Sequence, residues 1–164
     1  MVNERQRMLQ NSRCGAVLAD TRILLANGEQ KSIQKITDSD YLLTAHESKM
    51  KVDALYQRRE STFYSVKASN GKRIHVTEQQ YLLTKRGWKR VRNLTQEDEV
   101  MCFDSQIGRA YYPLLSIEKQ IMNEDWVYTV GLGDKTFIAN GFICSDYDMQ
   151  NEDDEDTKEN GKCM

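Results

Sequence analysis

A chain of 164 residues, 39% hydrophobic and with one proline, suits a single globular domain with a modest core. No apolar run approaches the roughly 18 to 20 residues of a membrane span, so no membrane partner is expected. The net charge of −2 hides an asymmetry: residues 146–164 hold eight acids against Lys158 and Lys162, leaving +4 on residues 1–145, too weakly basic to argue for nucleic acid.

Met1 to Arg13 is polar and lacks the apolar segment of a signal peptide; a parent protein could carry one upstream, so localisation stays open. This stretch, with weak helical character and no amphipathic stripe, reads as an N-terminal arm (1–13), a frayed helix or an extended segment. Cys14-Gly15 leads into the apolar run Ala16 to Gly28, which ends in Asn27-Gly28, the strongest short hairpin signal. Lys31 to Thr44 follows, with Ile33 and Ile36 facing inward and an acidic turn before Tyr41-Leu42-Leu43. The pattern predicts a hairpin, a one-turn element and a strand. After the polar stretch Ala45 to Lys51, Val52-Leu55-Tyr56 and Phe63-Tyr64-Val66 predict two strands separated by the charged connection Arg58-Arg59-Glu60. Asn70-Gly71 supplies the next hairpin turn.

The opening plan then returns in Ile74 to Trp88 and Val91 to Met101. Ile33, Ile36 and Asp40 meet Val91, Leu94 and Asp98 at one constant offset, and Gly28 meets Gly87 with a slip of one residue, which predicts a duplicated β unit. Tyr111 to Ile117, interrupted by Pro113, suits an edge strand. Asn123-Glu124-Asp125 marks a polar break. Trp126 to Val130 is a strand, and Thr136 to Ala139 and Phe142 to Cys144 flank the turn Asn140-Gly141. No helix longer than about ten residues emerges, so the fold class is mainly β. The acidic segment 148–164, almost without apolar side chains after Met149, predicts a disordered tail carrying Cys163 as a free thiol.

Four cysteines (Cys14, Cys102, Cys144, Cys163) form no C-x-x-C pair and there are only two histidines, so neither a metal nor another cofactor is expected. Cys102 and Cys144 lie in strand-like runs and read as buried apolar residues. His46 falls in a polar turn, and His75 alternates with Ile74 and Val76 and so faces solvent. Trp88 and Trp126 read as core. Asn93-Leu94-Thr95 fits a glycosylation acceptor but reads as incidental.

Residues 14–147 together resemble the Hint domain, the autoprocessing module of inteins and of the C-terminal part of Hedgehog proteins. Ala16 to Thr44 looks like the opening block, Ile74 to Met101 like the Thr-x-x-His block followed by Gly-Trp, and Val127 to Tyr147 like the final block. The resemblance implies a pseudo-twofold fold of two related hairpin units, acting in cis on its own flanking polypeptide as a monomer. It also implies single-turnover chemistry: a Cys or Ser attacks the preceding carbonyl, converts an amide into a thioester or ester, and a later step resolves it by cleavage, splicing or ligation.

Carried onto this sequence, the family's spacing puts the nucleophile position at Ala16 and the scissile bond at Gly15-Ala16. Alanine has no nucleophile, and Cys14 is the alternative, two residues early. The second block keeps Thr77 but reads Gln80 where the family has histidine; glutamine donates hydrogen bonds but does not titrate near neutral pH. The terminal Asn or Cys position reads Asp146, preceded by Ser145. No carboxylate is plainly placed to activate a sterol. Three readings follow: a self-processing domain inactive or attenuated at Ala16, a catalytically dead module of the same fold that binds a partner or spaces domains, or an unrelated β-barrel binding domain whose turns imitate the blocks.

Overall fold

A computed structural model describes residues 6–9, 14–133 and 136–149. Cys163 and most of the expected tail lie outside these residues, as does most of the arm. The strands, in chain order, are β1 (Gln6–Met8), β2 (Val17–Leu18), β3 (Arg22–Leu24), β4 (Gln30–Ser32), β5 (Tyr41–Leu43), β6 (Lys49–Lys51) and β7 (Ala54–Ala68). They continue as β8 (Arg73–Val76), β9 (Tyr81–Thr84), β10 (Gly87–Arg90), β11 (Glu99–Asp104), β12 (Gly108–Gly131), β13 (Thr136–Ala139) and β14 (Phe142–Ser145). Twelve of them form one sheet in the order β1-β7-β8-β2-β12-β11-β9-β14-β13-β3-β4, with β10 beside β9, while β5 and β6 pair as a separate ribbon. The mainly β expectation holds.

All three Asn-Gly pairs turn hairpins: Asn140-Gly141 is a two-residue turn with both φ angles positive, +48° and +86°, while Gly28 and Gly71 close three-residue loops at +92° and +88°, left-handed values that glycine adopts without steric cost. The duplication is visible in hydrogen bonds. Each unit has a 3₁₀ turn, Ile33–Lys35 and Val91–Asn93, whose first residue is fully buried. Each is followed by a threonine whose N–H donates to an aspartate 2.8 Å away, Thr37 to Asp40 and Thr95 to Asp98. A lysine closes each pair, Lys31 to Asp40 at 2.9 Å and Lys89 to Asp98 at 3.0 Å. The repeated aspartates are therefore turn-locking groups, each collecting a backbone donor and a cation.

Two expectations change. The charged Arg58-Arg59-Glu60 is no connection; β7 runs unbroken through it, because β12 pairs with it on the same register from Arg59↔Trp126 to Gln57↔Tyr128. Likewise β12 is one strand of 24 residues rather than an edge strand, a break and a second strand. The polar break survives as an irregularity in register between Ile121 and Asp125, which absorbs extra residues without ending the pairing. Pro113 sits where β12 finishes its ladder with β11 and takes up β7, a position where a missing N–H disrupts least. The arm resolves to its extended alternative: β1 lies parallel to β7, and Leu9 is buried with its N–H on the Gln57 carbonyl at 2.6 Å.

The main core gathers Ile23, Ile33, Leu42, Val66, Val76, Val91, Phe137 and Phe142 from both units. Trp126 is half-buried at its rim, with Arg59 stacked 5.2 Å from the ring, and Trp88 is half-buried against a smaller cluster of Leu24, Ala45, Phe103, Ile138 and Ile143. Asp98 is fully buried where Asp40 keeps 16% of its side-chain surface. Asp98→Ala is accordingly expected to cost about 2 to 3 kcal/mol and Asp40→Ala about 1, measured by urea unfolding, because the threonine amide and the partly exposed lysine are left without their acceptor.

Candidate functional site

Three short segments meet at the start of β2. This strand is inserted between β8 and β12, with Val17 opposite Val76 on one side and Tyr128 on the other. Ala16 therefore enters the sheet beside Thr77, the residue that follows β8. Two hydrogen bonds join them: the Ala16 N–H donates to Thr77 Oγ1 at 3.1 Å, and the Thr77 N–H donates to the Ala16 carbonyl at 2.9 Å. Both residues are completely buried.

Thr77 to Gln80 is the turn between β8 and β9, closed by the Gln80 N–H on the Thr77 carbonyl at 3.2 Å. The second repeat unit anchors it, since the Val91 N–H donates to the Gln80 carbonyl at 2.8 Å and the Arg92 N–H to the Glu78 carbonyl at 3.1 Å. The Gln80 amide then reaches the end of β14. Its Nε2 lies 3.1 Å from the Ser145 carbonyl, 3.2 Å from Ser145 Oγ and 3.0 Å from the Tyr81 carbonyl. Carbonyl oxygens only accept, so this amide orientation is imposed by its surroundings. Gln80 Oε1, on the far side, is buried without a partner.

The Gln80 backbone also presses on Gly15. A Cβ built on Gly15 would stand 2.2 Å from Gln80 Cα and 2.5 Å from its nitrogen, a collision with main chain that no rotamer relieves. The Gly15-Ala16 peptide bond is thus held from both sides, by the Thr77 hydroxyl at its nitrogen and by the Gln80 main chain against its preceding Cα.

The two flanks of the domain converge here as well. Cys14 and Ala16 pack with Leu9, Phe63 and Val127 in a cluster that Tyr56, Leu18 and Tyr147 cover. The Tyr147 ring is stacked on Tyr56, with centroids 4.0 Å apart. Residues 14 and 147, far apart in sequence, share one apolar pocket.

Asp146 is completely buried but turned to another task. Its Oδ2 accepts the Leu132 N–H and its Oδ1 the Met149 N–H, both at 2.8 Å, so it caps the helical turn over residues 147–149 and ties it to the end of β12. Burial raises its pKa most, the Met149 and Leu132 amides lower it, the Asp148 charge raises it, and the balance is a value of about 7.

The remaining candidates separate cleanly from this place. His46 is exposed in the turn after β5, and His75 is half-buried on the face opposite Ile74 and Val76, where burial and Arg73 lower its pKa. Among the described residues Cys102 and Cys144 are free and buried; burial lifts the Cys102 thiol to about 11 and raises Cys144 further, which makes both inert packing residues. Sequence reasoning missed Arg58 and Thr129. Both stand on the face of the β7 and β12 ladder that bears Tyr56 and Val127, and period-two alternation from Tyr56 was the available signal for Arg58.

Two measurements test this geometry. Gly15→Ala is expected to lower stability by about 1 to 3 kcal/mol in chemical unfolding, because main chain must move to admit a methyl group. Asp146 holds its proton in the folded chain over a pH range where the unfolded chain has lost it, so its contribution is full below about pH 4 and declines as pH rises to about 7. Asp146→Asn should remove a falling component of at most about 1.4 kcal/mol per pH unit from the pH dependence of unfolding across that range.

No family model and no curated protein matches the sequence. Solved structures do. The chain is similar to a DnaB intein from Synechocystis sp. PCC 6803, at 22% identity and a TM-score of 0.73 over 81% of this chain and 99% of that one. A mutant of the Ssp DnaB mini-intein gives 23% identity and a TM-score of 0.75 over 85% and 94%, and the gp41-1 intein 20% and 0.66 over 81% and 99%. With two matched hairpin units, a curled sheet that brings residues 14 and 147 together and this likeness over nearly the full length of each neighbour, the chain has the Hint fold of the inteins.

Proposed function

We propose that this chain is a self-processing domain that acts in cis on its own flanking polypeptide, with the Gly15-Ala16 bond as its site and its first step lost at Ala16. The observation that carries the reading is the hydrogen bond from the Ala16 N–H to Thr77 Oγ1, a buried hydroxyl fixed on the nitrogen that would leave. In an acyl shift the side-chain nucleophile of residue 16 attacks the Gly15 carbonyl carbon. The carbon–nitrogen bond breaks, the nitrogen takes up the proton that the nucleophile gives up, and a thioester or ester forms with a free amino group on residue 16. Thr77 orients the leaving nitrogen, the Gln80 backbone fixes the Cα before the reacting carbonyl, and the surrounding apolar cluster excludes water.

The Gln80 amide holds the Ser145 carbonyl, and through it joins the upstream and downstream junctions. It restrains without moving a proton. Asp146 stands where a resolving side chain would stand, yet both of its oxygens accept backbone N–H groups. That commitment favours a second reading, a binding or spacer module that retains the fold alone.

Ala16→Cys separates the two. The variant is expected to form a hydroxylamine-sensitive thioester and to cleave between residues 15 and 16, and adding Gln80→His should raise the rate by about 10²-fold, the effect of one general acid. A folded Ala16→Cys protein that never cleaves, with or without the histidine, overturns the processing function in favour of the second reading.

A further inference from the structure

The buried cation Arg58 has no role in the scheme above. Arg58 lies in β7 opposite Val127, which in turn faces Leu18, so its side chain runs along the row beneath Ala16. It is more than nine-tenths buried. Its NH1 donates to Glu60 Oε1 at 2.6 Å, and its NH2 donates to the Cys14 carbonyl at 3.0 Å and more weakly to Gln79 Oε1 at 3.4 Å. The guanidinium therefore bridges the chain upstream of the Gly15-Ala16 bond and the turn that carries Thr77 and Gln80.

Its cost is visible. Arg58 Nε is buried with no partner, and the other buried side-chain atoms so left among the described residues are Gln80 Oε1 and Thr129 Oγ1. Thr129 faces Tyr56 across the ladder, on the side of the sheet where Cys14 and Ala16 pack. The three unused groups thus belong to side chains gathered around the start of β2, although each costs about 1 to 3 kcal/mol where it stands. Stability alone favours an apolar side chain at position 58 over a partly satisfied buried cation.

We propose that Arg58 is the positioning residue for the upstream flanking chain: by fixing the Cys14 carbonyl it sets the plane of the peptide before Gly15 and aims the Gly15 carbonyl at residue 16. The clamp reads main chain only. At residue 14 it takes the carbonyl, and at residue 15 the Gln80 backbone excludes every side chain, so glycine is the residue that this subsite admits next to the bond. A guanidinium is needed because its planar fork reaches three acceptors on different segments at once, which an ammonium on a flexible stem does not. The inference rests on the self-processing reading for its purpose, while the clamp itself is measurable without any chemistry.

The test has two arms. In the otherwise unchanged chain, Arg58→Met is expected to speed hydrogen exchange at the Gly15 and Ala16 amides about tenfold or more, the loss of one charged hydrogen bond, while the amides of Leu42 and Phe137 keep their protection. In the Ala16→Cys chain, Arg58→Ala should slow thioester formation by a similar factor, Arg58→Lys should not restore it, and millimolar guanidinium added to Arg58→Ala should restore part of it. Exchange that is unchanged at residues 15 and 16, or that rises equally throughout the molecule, overturns the proposal, and so does a rate in Arg58→Ala that guanidinium leaves untouched. If Ala16→Cys itself never cleaves while exchange responds locally, the processing function fails and the clamp stands.

Discussion

A reciprocal pair of hydrogen bonds between Ala16 and Thr77 is the constraint on which the site depends. β2 is only two residues long, too short to fix its own register, and a slip of one residue would turn the Ala16 side chain to the opposite face. Backbone pairing to β8 and β12 narrows the choice, and the Thr77 hydroxyl removes what remains by accepting the one N–H that the ladder does not use. Because that hydroxyl is wholly buried, no water competes for the bond. Everything upstream then follows: with Ala16 pinned, Gly15 is driven against the Gln80 backbone and the Cys14 carbonyl comes within reach of Arg58.

The duplication explains why such a small region is rigid enough to hold four segments. Each unit ends in a 3₁₀ turn locked by an aspartate that accepts a threonine N–H and a lysine. In the second unit that locked turn does a further job, since the Val91 N–H donates to the Gln80 carbonyl and so fixes the turn bearing Thr77. The equivalent turn of the first unit makes the matching contacts, the Ile33 N–H on the Thr21 carbonyl and the Gln34 N–H on the Ala19 carbonyl, the positions that the one-residue slip sets against Gln80 and Glu78. Two copies of one local structure thus brace two turns in the same way, one the turn that leaves β2 and the other the turn that bears Thr77. Asp98 is the more deeply buried aspartate of the two because its turn is wedged beneath the site.

Most of the fold was legible because its signals are local. Asn-Gly pairs dictate hairpins from their own backbone preferences, and the constant offset between Ile33, Ile36, Asp40 and Val91, Leu94, Asp98 reports packing and turn-locking that each unit carries within itself. What stayed hidden depends on partners distant in sequence. Arg58 looks like part of a charged loop until β12 is seen to pair through it, and only then does alternation from Tyr56 place it under Ala16. The length of β12 was hidden for the same reason, since a strand braced by β11, β7 and β2 in succession tolerates a proline and a polar irregularity that would end a two-stranded ribbon. The structure brings Gly15, Ala16, Thr77, Gln80 and Ser145, which the family pattern singles out, into one place, yet the pattern was silent on where Asp146 would point, because its partners are the N–H groups of Leu132 and Met149 rather than anything adjacent to the Gly15-Ala16 bond.

The departures at the site are of one kind. Where the family pattern has a nucleophile and a histidine this chain has Ala16 and Gln80, while the restraints around them are present: the Thr77 hydroxyl on the Ala16 nitrogen, the glycine forced at position 15, and the buried Arg58 on the preceding carbonyl. Restraint is the costly part. It demands a buried cation with an unpartnered nitrogen, a buried amide with an unpartnered oxygen and a main-chain contact that tolerates no side chain, and none of these adds to stability. Chemical groups, by contrast, are lost by single substitutions that barely disturb packing, since alanine fits wherever cysteine fits. The orphaned atoms on Arg58 and Gln80 and the excluded side chain at position 15 stand together beside residue 16, and that is the arrangement the self-processing reading proposed above calls for.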